Sequence, residues 1–253
     1  MKPMHAASSS SELVELCRRL EAGGALGCLI TGGSDSSGRL PWKSFLEGIR
    51  AVKASTGLHI SVHSGMVDNS MASSLRDAGV DQALIDVVGS EETWRNVLHL
   101  EEGERLLRRS LEALYGCGLE VAPHIVAGIH GGRILGERRA LEILGDFPVR
   151  HLVWVAFMPI RGTPLGRSSP ASVEEVARLI AESRIRFPQA RISLGCARPR
   201  GEYRLALERL ALEAGVQGVA VYTEETLDAA KALGLEVSFQ PTCCSVLLDK
   251  ARP

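Results

Sequence analysis

The residues of this chain that could do chemistry recur directly after short apolar runs. In order they read Thr31-Gly-Gly-Ser-Asp35, Ser61-Val-His-Ser-Gly65, Asp86-Val-Val-Gly-Ser-Glu91, Pro123-His124 with Gly128-Ile-His-Gly-Gly132, Met158-Pro-Ile-Arg-Gly-Thr163, Gly195-Cys-Ala-Arg-Pro-Arg-Gly201 and Tyr222-Thr223. Glycine lets backbone N–H groups approach a ligand closely and aim donors at a carboxylate or phosphate. One such Gly pair marks no more than a turn, whereas several polar, Gly-rich ends in one chain suit a ligand-filled mouth. Schiff-base chemistry needs a lysine at such a place, and Lys2, Lys43, Lys53, Lys231 and Lys250 all fall in the tail or in predicted helices or their flanks. His63, His124, His130 and Asp86 fall where ligands of a mononuclear metallohydrolase could converge, yet no His-x-His or His-Glu-x-x-His pair is present. Hydrogen-bonded loop histidines account for them equally well, and Asp35 and Asp86 read equally as turn or cap residues. Arg198 and Arg200, flanking Pro199, could clamp a carboxylate or phosphate, or be solvated loop arginines.

The six cysteines divide by position. Cys17, Cys28 and Cys117, on a helix face, in a strand and at a helix end, read as small core hydrophobes. Cys196, Cys243 and Cys244 are candidates for an auxiliary metal site or for handling sulfur, with only Cys243 and Cys244 close in sequence. Cysteine usage of this kind suits unpaired thiols or metal ligands better than a disulfide framework.

The elements that must position these residues follow from periodicity. Leu13, Leu16, Cys17 and Leu20 share a helical face that Gly23-Gly24 ends, with Ser10 or Ser11 as the expected cap. Strands are then predicted near 26–31, 58–63, 82–88, 119–126, 151–157, 190–195 and 217–221, and a further one at 235–239. Helices are predicted near 41–54, 69–78, 91–115, 136–145, 171–187, 203–214 and 224–233. Runs that are apolar with little alternation suit strands covered on both faces of a parallel sheet. The expected fold is a parallel (β/α) barrel or partial TIM-like barrel over residues 1–253 as one domain, with the 235–239 run covering an open edge. In such a barrel the ends of the strands at which these polar residues lie form one face.

Composition narrows the function classes. The chain has 253 residues, 45% hydrophobic, with 29 Lys+Arg against 30 Asp+Glu and a net charge of −1. A basic nucleic-acid binder is disfavoured, and the longest apolar runs fall well short of the roughly 20 residues of a membrane span. Met1 to Ala7 lacks the apolar core of a secretory signal, so a cytoplasmic location is expected.

Taken in order, Gly27-Cys-Leu-Ile-Thr-Gly-Gly-Ser-Asp35, Gly38-Arg-Leu-Pro41, His59-Ile-Ser-Val-His-Ser-Gly65, Asp86-Val-Val-Gly-Ser90, Pro123-His124, Gly132-Arg-Ile-Leu-Gly-Glu137, Pro159-Ile-Arg-Gly-Thr163, Leu194-Gly-Cys-Ala-Arg-Pro-Arg-Gly201 and Cys243-Cys244 resemble the radical S-adenosylmethionine (SAM) enzymes. Within them the chain looks most like the biotin and lipoyl synthase branch, especially one subunit of the two-component lipoyl synthases. The resemblance implies that Gly32 and Gly33 bind the methionine end of SAM. Ser34 stands where the family has an acid, so Asp35 would take the amine. The stretch from Gly128 to Glu137 would support the adenine, and the ribose would lie near Asp86, Ser90 and Glu91. With His63, His124, His130 and Arg198 these complete the cofactor-binding set that the resemblance implies.

The family also holds a [4Fe–4S] cluster through Cys-x₃-Cys-x₂-Cys, and no three cysteines here have that spacing. The primary ligands and the family's first strand are therefore expected to be missing, either by N-terminal truncation or by natural loss. The implied complete activity is cleavage of SAM to a 5′-deoxyadenosyl radical that abstracts hydrogen from an unactivated carbon, with sulfur insertion as in lipoyl synthesis. A catalytically degenerate SAM- or partner-binding barrel is the alternative. The expected partners are a small-molecule or carrier-bound substrate and a second radical SAM subunit, with neither nucleic acid nor membrane.

Overall fold

A computed structural model describes residues 5–240 and 242–246. The leader reading therefore rests partly on Met1 to Met4, which lie outside the described residues. The chain opens on helix α1 (Ser10–Ala22), capped by Ser9, whose Oγ accepts the Glu12 N–H at 3.2 Å. The expected caps, Ser10 and Ser11, both lie inside the helix instead, where the Ser10 hydroxyl donates to the Ser44 carbonyl at 2.8 Å. Strand β1 (Gly27–Ile30), a 3₁₀ turn (Trp42–Ser44), α2 (Leu46–Ser55), β2 (His59–His63), α3 (Asn69–Asp77) and β3 (Gln82–Asp86) follow. Then come α4 (Glu91–Asn96), α5 (Gly103–Gly116), β4 (Glu120–Ala127), α6 (Glu137–Leu144) and β5 (His151–Ala156). The last elements are α7 (Val173–Arg186), β6 (Arg191–Leu194), α8 (Glu202–Glu213), β7 (Gly218–Val219) and α9 (Glu224–Ala232).

The chain forms two compact units. One takes the residues up to Ile85, Arg109–Val121 and those from Gln240; the other takes Asp86–Arg108 and Ala122–Phe239. In the first unit β1, β2 and β3 run parallel in chain order, with Gly27 opposite His59 and Ser61 opposite Gln82. Ile60 and Val62 of β2 and Ile49 and Val52 of α2 are fully buried there. In the second, β4, β5, β6 and β7 run parallel in chain order, with His124 opposite Val153 and Ser193 opposite Gly218. All six residues of β5 are buried, as a parallel strand covered on both faces requires. Trp154 at its centre donates from Nε1 to Ser183 of α7 at 3.0 Å, so this large, fully buried side chain is also hydrogen-bonded.

Two predicted elements are corrected. The single helix over 91–115 is two, because Gly103 lies flat against Trp94: a Cβ there would stand 2.0 Å from the indole ring. His99 and Glu102, at φ 56° and 55°, turn the chain between the two helices. The 235–239 run is not a strand. The Leu235 N–H closes the end of α9 on the Ala230 carbonyl, and Phe239 is 62% exposed, its ring tilted against Tyr222 with centroids 5.4 Å apart. The run therefore pairs with no strand among the described residues. Among the described residues no helix is long and apolar enough to cross a membrane.

Candidate functional site

In the first unit the loop leaving β1 carries Gly32, Gly33, Ser34 and Asp35. Neither glycine has a positive φ. A Cβ on Gly32 would make ordinary contact with Leu40 at 3.7 Å, and one on Gly33 would meet nothing within 4 Å. The fold itself does not require glycine at either position. Asp35 builds the turn that follows: its Oδ1 accepts the Ser37 N–H (2.8 Å), the Ser37 hydroxyl (2.7 Å) and the Arg39 N–H (3.1 Å). The Ser37 hydroxyl, then the N–H groups of Arg39 and Ser37, hold its carboxyl below the usual carboxylate range. Asp35 is exposed, and Oδ2 has no hydrogen-bond partner among the described residues. The Asx-turn reading and a ligand-facing oxygen thus coexist in one side chain.

Gly65, after β2, fixes where this loop lies, a role that sequence reasoning did not assign. At φ +60° its missing Cβ makes room for Leu40 and for the Gly38 carbonyl, 2.5 and 2.7 Å from where that atom would be. Met66 N–H donates to the same carbonyl at 2.8 Å, and Arg39 bridges to Gly65. The signal was the Gly38 and Gly65 pair, but no local pattern says that two loops 27 residues apart meet. His63 ends β2 and is half-buried.

In the second unit the segments after β3 and β4 are packed backbone to backbone. A Cβ on Gly89 would lie 2.3 Å from the Gly136 carbonyl, and one on Gly136 would lie 2.6 Å from the Ser90 nitrogen. This brings Asp86, Ser90, Gly128, His130 and Glu137 into one region. Their polar atoms are mostly engaged. Ser90 caps α4 by accepting the Thr93 N–H, and His130 Nδ1 lies 3.0 Å from Thr93 Oγ1 with Nε2 3.5 Å from Glu92. The buried Glu137 carboxylate accepts the N–H groups of Gly128 (2.7 Å), Leu135 (2.9 Å) and Gly136 (3.0 Å). Glu137 is the clasp of its own loop.

Three expectations are corrected by position. His124 lies inside β4, buried, with Nδ1 2.9 Å from the Ala122 carbonyl, because β4 runs on to Ala127. Arg198 is 3% exposed and structural: its guanidinium pairs with Glu208 and donates to the carbonyls of Gly195, Ala220 (2.8 Å) and Val221 (3.1 Å). Its donors are used in tying the β6 loop to the end of β7, so it does not clamp a ligand; Arg200 remains exposed. Cys196 is exposed after β6, whereas Ser245, beside Cys244, is held through its carbonyl by Gln82, the first residue of β3. Cys243 and Cys244 thus sit at the opposite end of β3 from Asp86. Among the described residues no three His, Cys, Asp or Glu side chains gather as a metal-ligand set.

No protein-family model matches the chain. It is 30% identical over 158 residues to the biotin synthase of Bordetella avium, covering 60% of this chain and 47% of that protein. It is also 30% identical over 178 residues to the biotin synthase of Halorhodospira halophila, covering 68% of this chain and 52% of that protein. The match spans about half the length of these relatives. Among solved structures, methylornithine synthase (PylB) superposes with a TM-score of 0.62 over 94% of this chain and 76% of its own, at 19% identity. That likeness identifies the seven parallel strands and their helices as a partial TIM-like (β/α) barrel. The sequence likeness to biotin synthases, together with the fold, supports a radical SAM superfamily, biotin synthase-like member.

Proposed function

We propose that this chain binds the amino-acid end of S-adenosylmethionine at the loop after β1. The observation that carries the reading is Gly32-Gly33: two glycines at a strand end where neither φ nor packing calls for them, beside open space that a side chain would fill. Asp35 supplies the second requirement. Its carboxylate stays ionised through the neutral range, and its open Oδ2 can take the ligand's ammonium in a charge-assisted hydrogen bond. Gly38, Leu40 and Gly65 hold that carboxylate in place.

The [4Fe–4S] cluster of the superfamily supplies the electron for SAM cleavage when it is bound. The residues present do not fit it: the six cysteines lack the Cys-x₃-Cys-x₂-Cys spacing, and no described set of three ligating side chains converges. The function proposed for these residues is therefore SAM binding in the service of hydrogen abstraction, with the cluster thiolates contributed from outside these 253 residues. A second subunit of the same superfamily fits that part, and the substrate would be a small molecule or a carrier-bound group.

Titration calorimetry with SAM tests the reading. Asp35→Asn keeps an oxygen for the Ser37 and Arg39 donors but loses the charge, so the proposal expects an intact fold with affinity about tenfold weaker. Equal dissociation constants for wild type and Asp35→Asn would overturn it.

A further inference from the structure

Cys243 and Cys244 are left outside the proposed function, and their surroundings point elsewhere. Their Sγ atoms lie 3.8 Å apart without a disulfide between them, and both residues are partly exposed. Ser245 beside them is fully buried; its Oγ lies 3.7 Å from Cys243 Sγ, and its carbonyl accepts from Gln82 Nε2 at 2.9 Å. The same Gln82 amide donates to Glu120 at 3.1 Å, so the pair is anchored where β3 and β4 begin. A hydrogen bond from the Cys244 thiol, followed by bonds from the Ser245 N–H and hydroxyl, holds the Cys243 sulfur well below the ordinary thiol range against the opposing effect of burial.

The unit contains a second sulfur pair that serves as an internal control. Cys17 of α1 and Cys28 of β1 place their Sγ atoms 3.9 Å apart, but Cys17 is 1% exposed. The hydrogen bond to Cys17, with burial, pushes the Cys28 thiol far up. Two neighbouring sulfurs, one of them lowered by the other, are common to both pairs, Cys17 in the first and Cys243 in the second; the lowered sulfur is buried in the first pair and accessible in the second.

We propose that Cys243 and Cys244 form a reversible thiol–disulfide exchange site for low-molecular-weight disulfides of the glutathione class. The Cys243 thiolate attacks one sulfur of the disulfide, forming a Cys243 mixed disulfide and releasing one thiolate. The Cys244 thiol, giving up its proton, then attacks the Cys243 sulfur, closing the vicinal disulfide and releasing the second thiolate. The two cysteines lose two electrons, the small disulfide gains them, and the Cys244 proton is taken up by one of the two released thiolates. Adjacent Cα atoms are about 3.8 Å apart across a trans peptide, below the roughly 4.4 Å at which ordinary disulfides begin. The ring is accordingly strained and readily reduced, the behaviour of a regulatory disulfide rather than a structural one. Closing it must turn the peptide between Cys243 and Cys244, which is part of the ring.

The test treats the full chain with oxidised glutathione and maps the products by peptide mass. Wild type is expected to lose two hydrogens within the one peptide carrying both residues, and to recover them on mild reduction. Cys244→Ser is expected to stop at a glutathione adduct on Cys243. Iodoacetamide alkylation supplies a readout on the unaltered protein: the Cys243 rate should fall less than about twofold over one pH unit below neutrality, where an ordinary thiol falls roughly tenfold. A tenfold fall at Cys243, or oxidised wild type carrying separate glutathiones on the two residues, would overturn the proposal.

Discussion

The loop after β1 and the loop after β4 look alike in sequence, since Thr31-Gly-Gly-Ser-Asp35 and Gly128-Ile-His-Gly-Gly132 are both short, polar and paired in glycine. Their glycines are there for opposite reasons. Gly128 and Gly132 have φ +73° and +91°, and a Cβ on Gly132 would stand 1.8 Å from the Ser169 carbonyl. Glu137 then takes up three of that loop's N–H groups. The loop is closed on itself and on its neighbours. Gly32 and Gly33 have ordinary φ, neither is crowded and Gly33 faces open space, and the acid that follows keeps one oxygen unused. Glycine forced by the chain's own packing says little about a ligand, whereas glycine that the packing does not force is the more informative kind.

The sharpest way to break this contrast is substitution at the two extremes. Gly132→Ala drives a Cβ into backbone at a left-handed φ, and should cost about 3 kcal/mol or more in chemical denaturation. A variant as stable as wild type would mean that the β4 loop is not fixed by packing. Arg198→Ala should cost about 1.5–3 kcal/mol, because it takes one charged partner from the buried Glu208 carboxylate, which keeps Arg204 and Thr226. Burial alone would raise Glu208, but hydrogen bonds from Thr226, Arg204 and Arg198 hold it below its ordinary value. A depressed folded value adds stability that is present above the ordinary glutamate range and lost as pH falls through the folded one. The melting temperature of wild type should therefore drop more steeply in acid than that of Glu208→Gln; parallel curves would contradict the pairing.

Glu137→Gln replaces one accepting oxygen by an NH₂ group facing N–H donors, with an expected loss of about 1–3 kcal/mol and no direct effect on SAM affinity. Weaker SAM binding at unchanged stability would instead make the β4 loop ligand-facing. The smallest effect on stability is expected at Gly33→Ala, within about 0.5 kcal/mol, since nothing lies within 4 Å of the new methyl group. Its SAM affinity should nonetheless fall, which calorimetry would read, and unchanged affinity would remove the ligand from that space.

The alternation of helices and parallel strands was legible because buried strands such as Leu152 to Ala156 carry unbroken apolar runs. The break at Gly103 was hidden because the apolar period continues across it; what stops the helix is Trp94, a contact that periodicity does not encode. Leu235 to Phe239 has the alternation of a strand, yet a strand exists only with a partner, and its first N–H is spent on α9. At the site, residue type gave Asp35 its two candidate roles but could not divide its two oxygens between them. For Arg198 the sequence showed a charge after a strand and not Glu208, ten residues on, which claims it. Charged residues at strand ends are legible as positions; whether their valence is already spent is a tertiary fact.

Amide hydrogen exchange of the wild-type chain with and without SAM tests the contrast most directly. The N–H groups of Gly33 and Ser34 carry no hydrogen bond among the described residues, while those of Gly128, Leu135 and Gly136 are already held by Glu137. SAM is predicted to slow exchange in the Gly32–Leu40 segment and leave the Gly128–Glu137 segment as it was. Protection confined to the β4 loop, with the β1 loop exchanging freely in saturating SAM, would contradict the account.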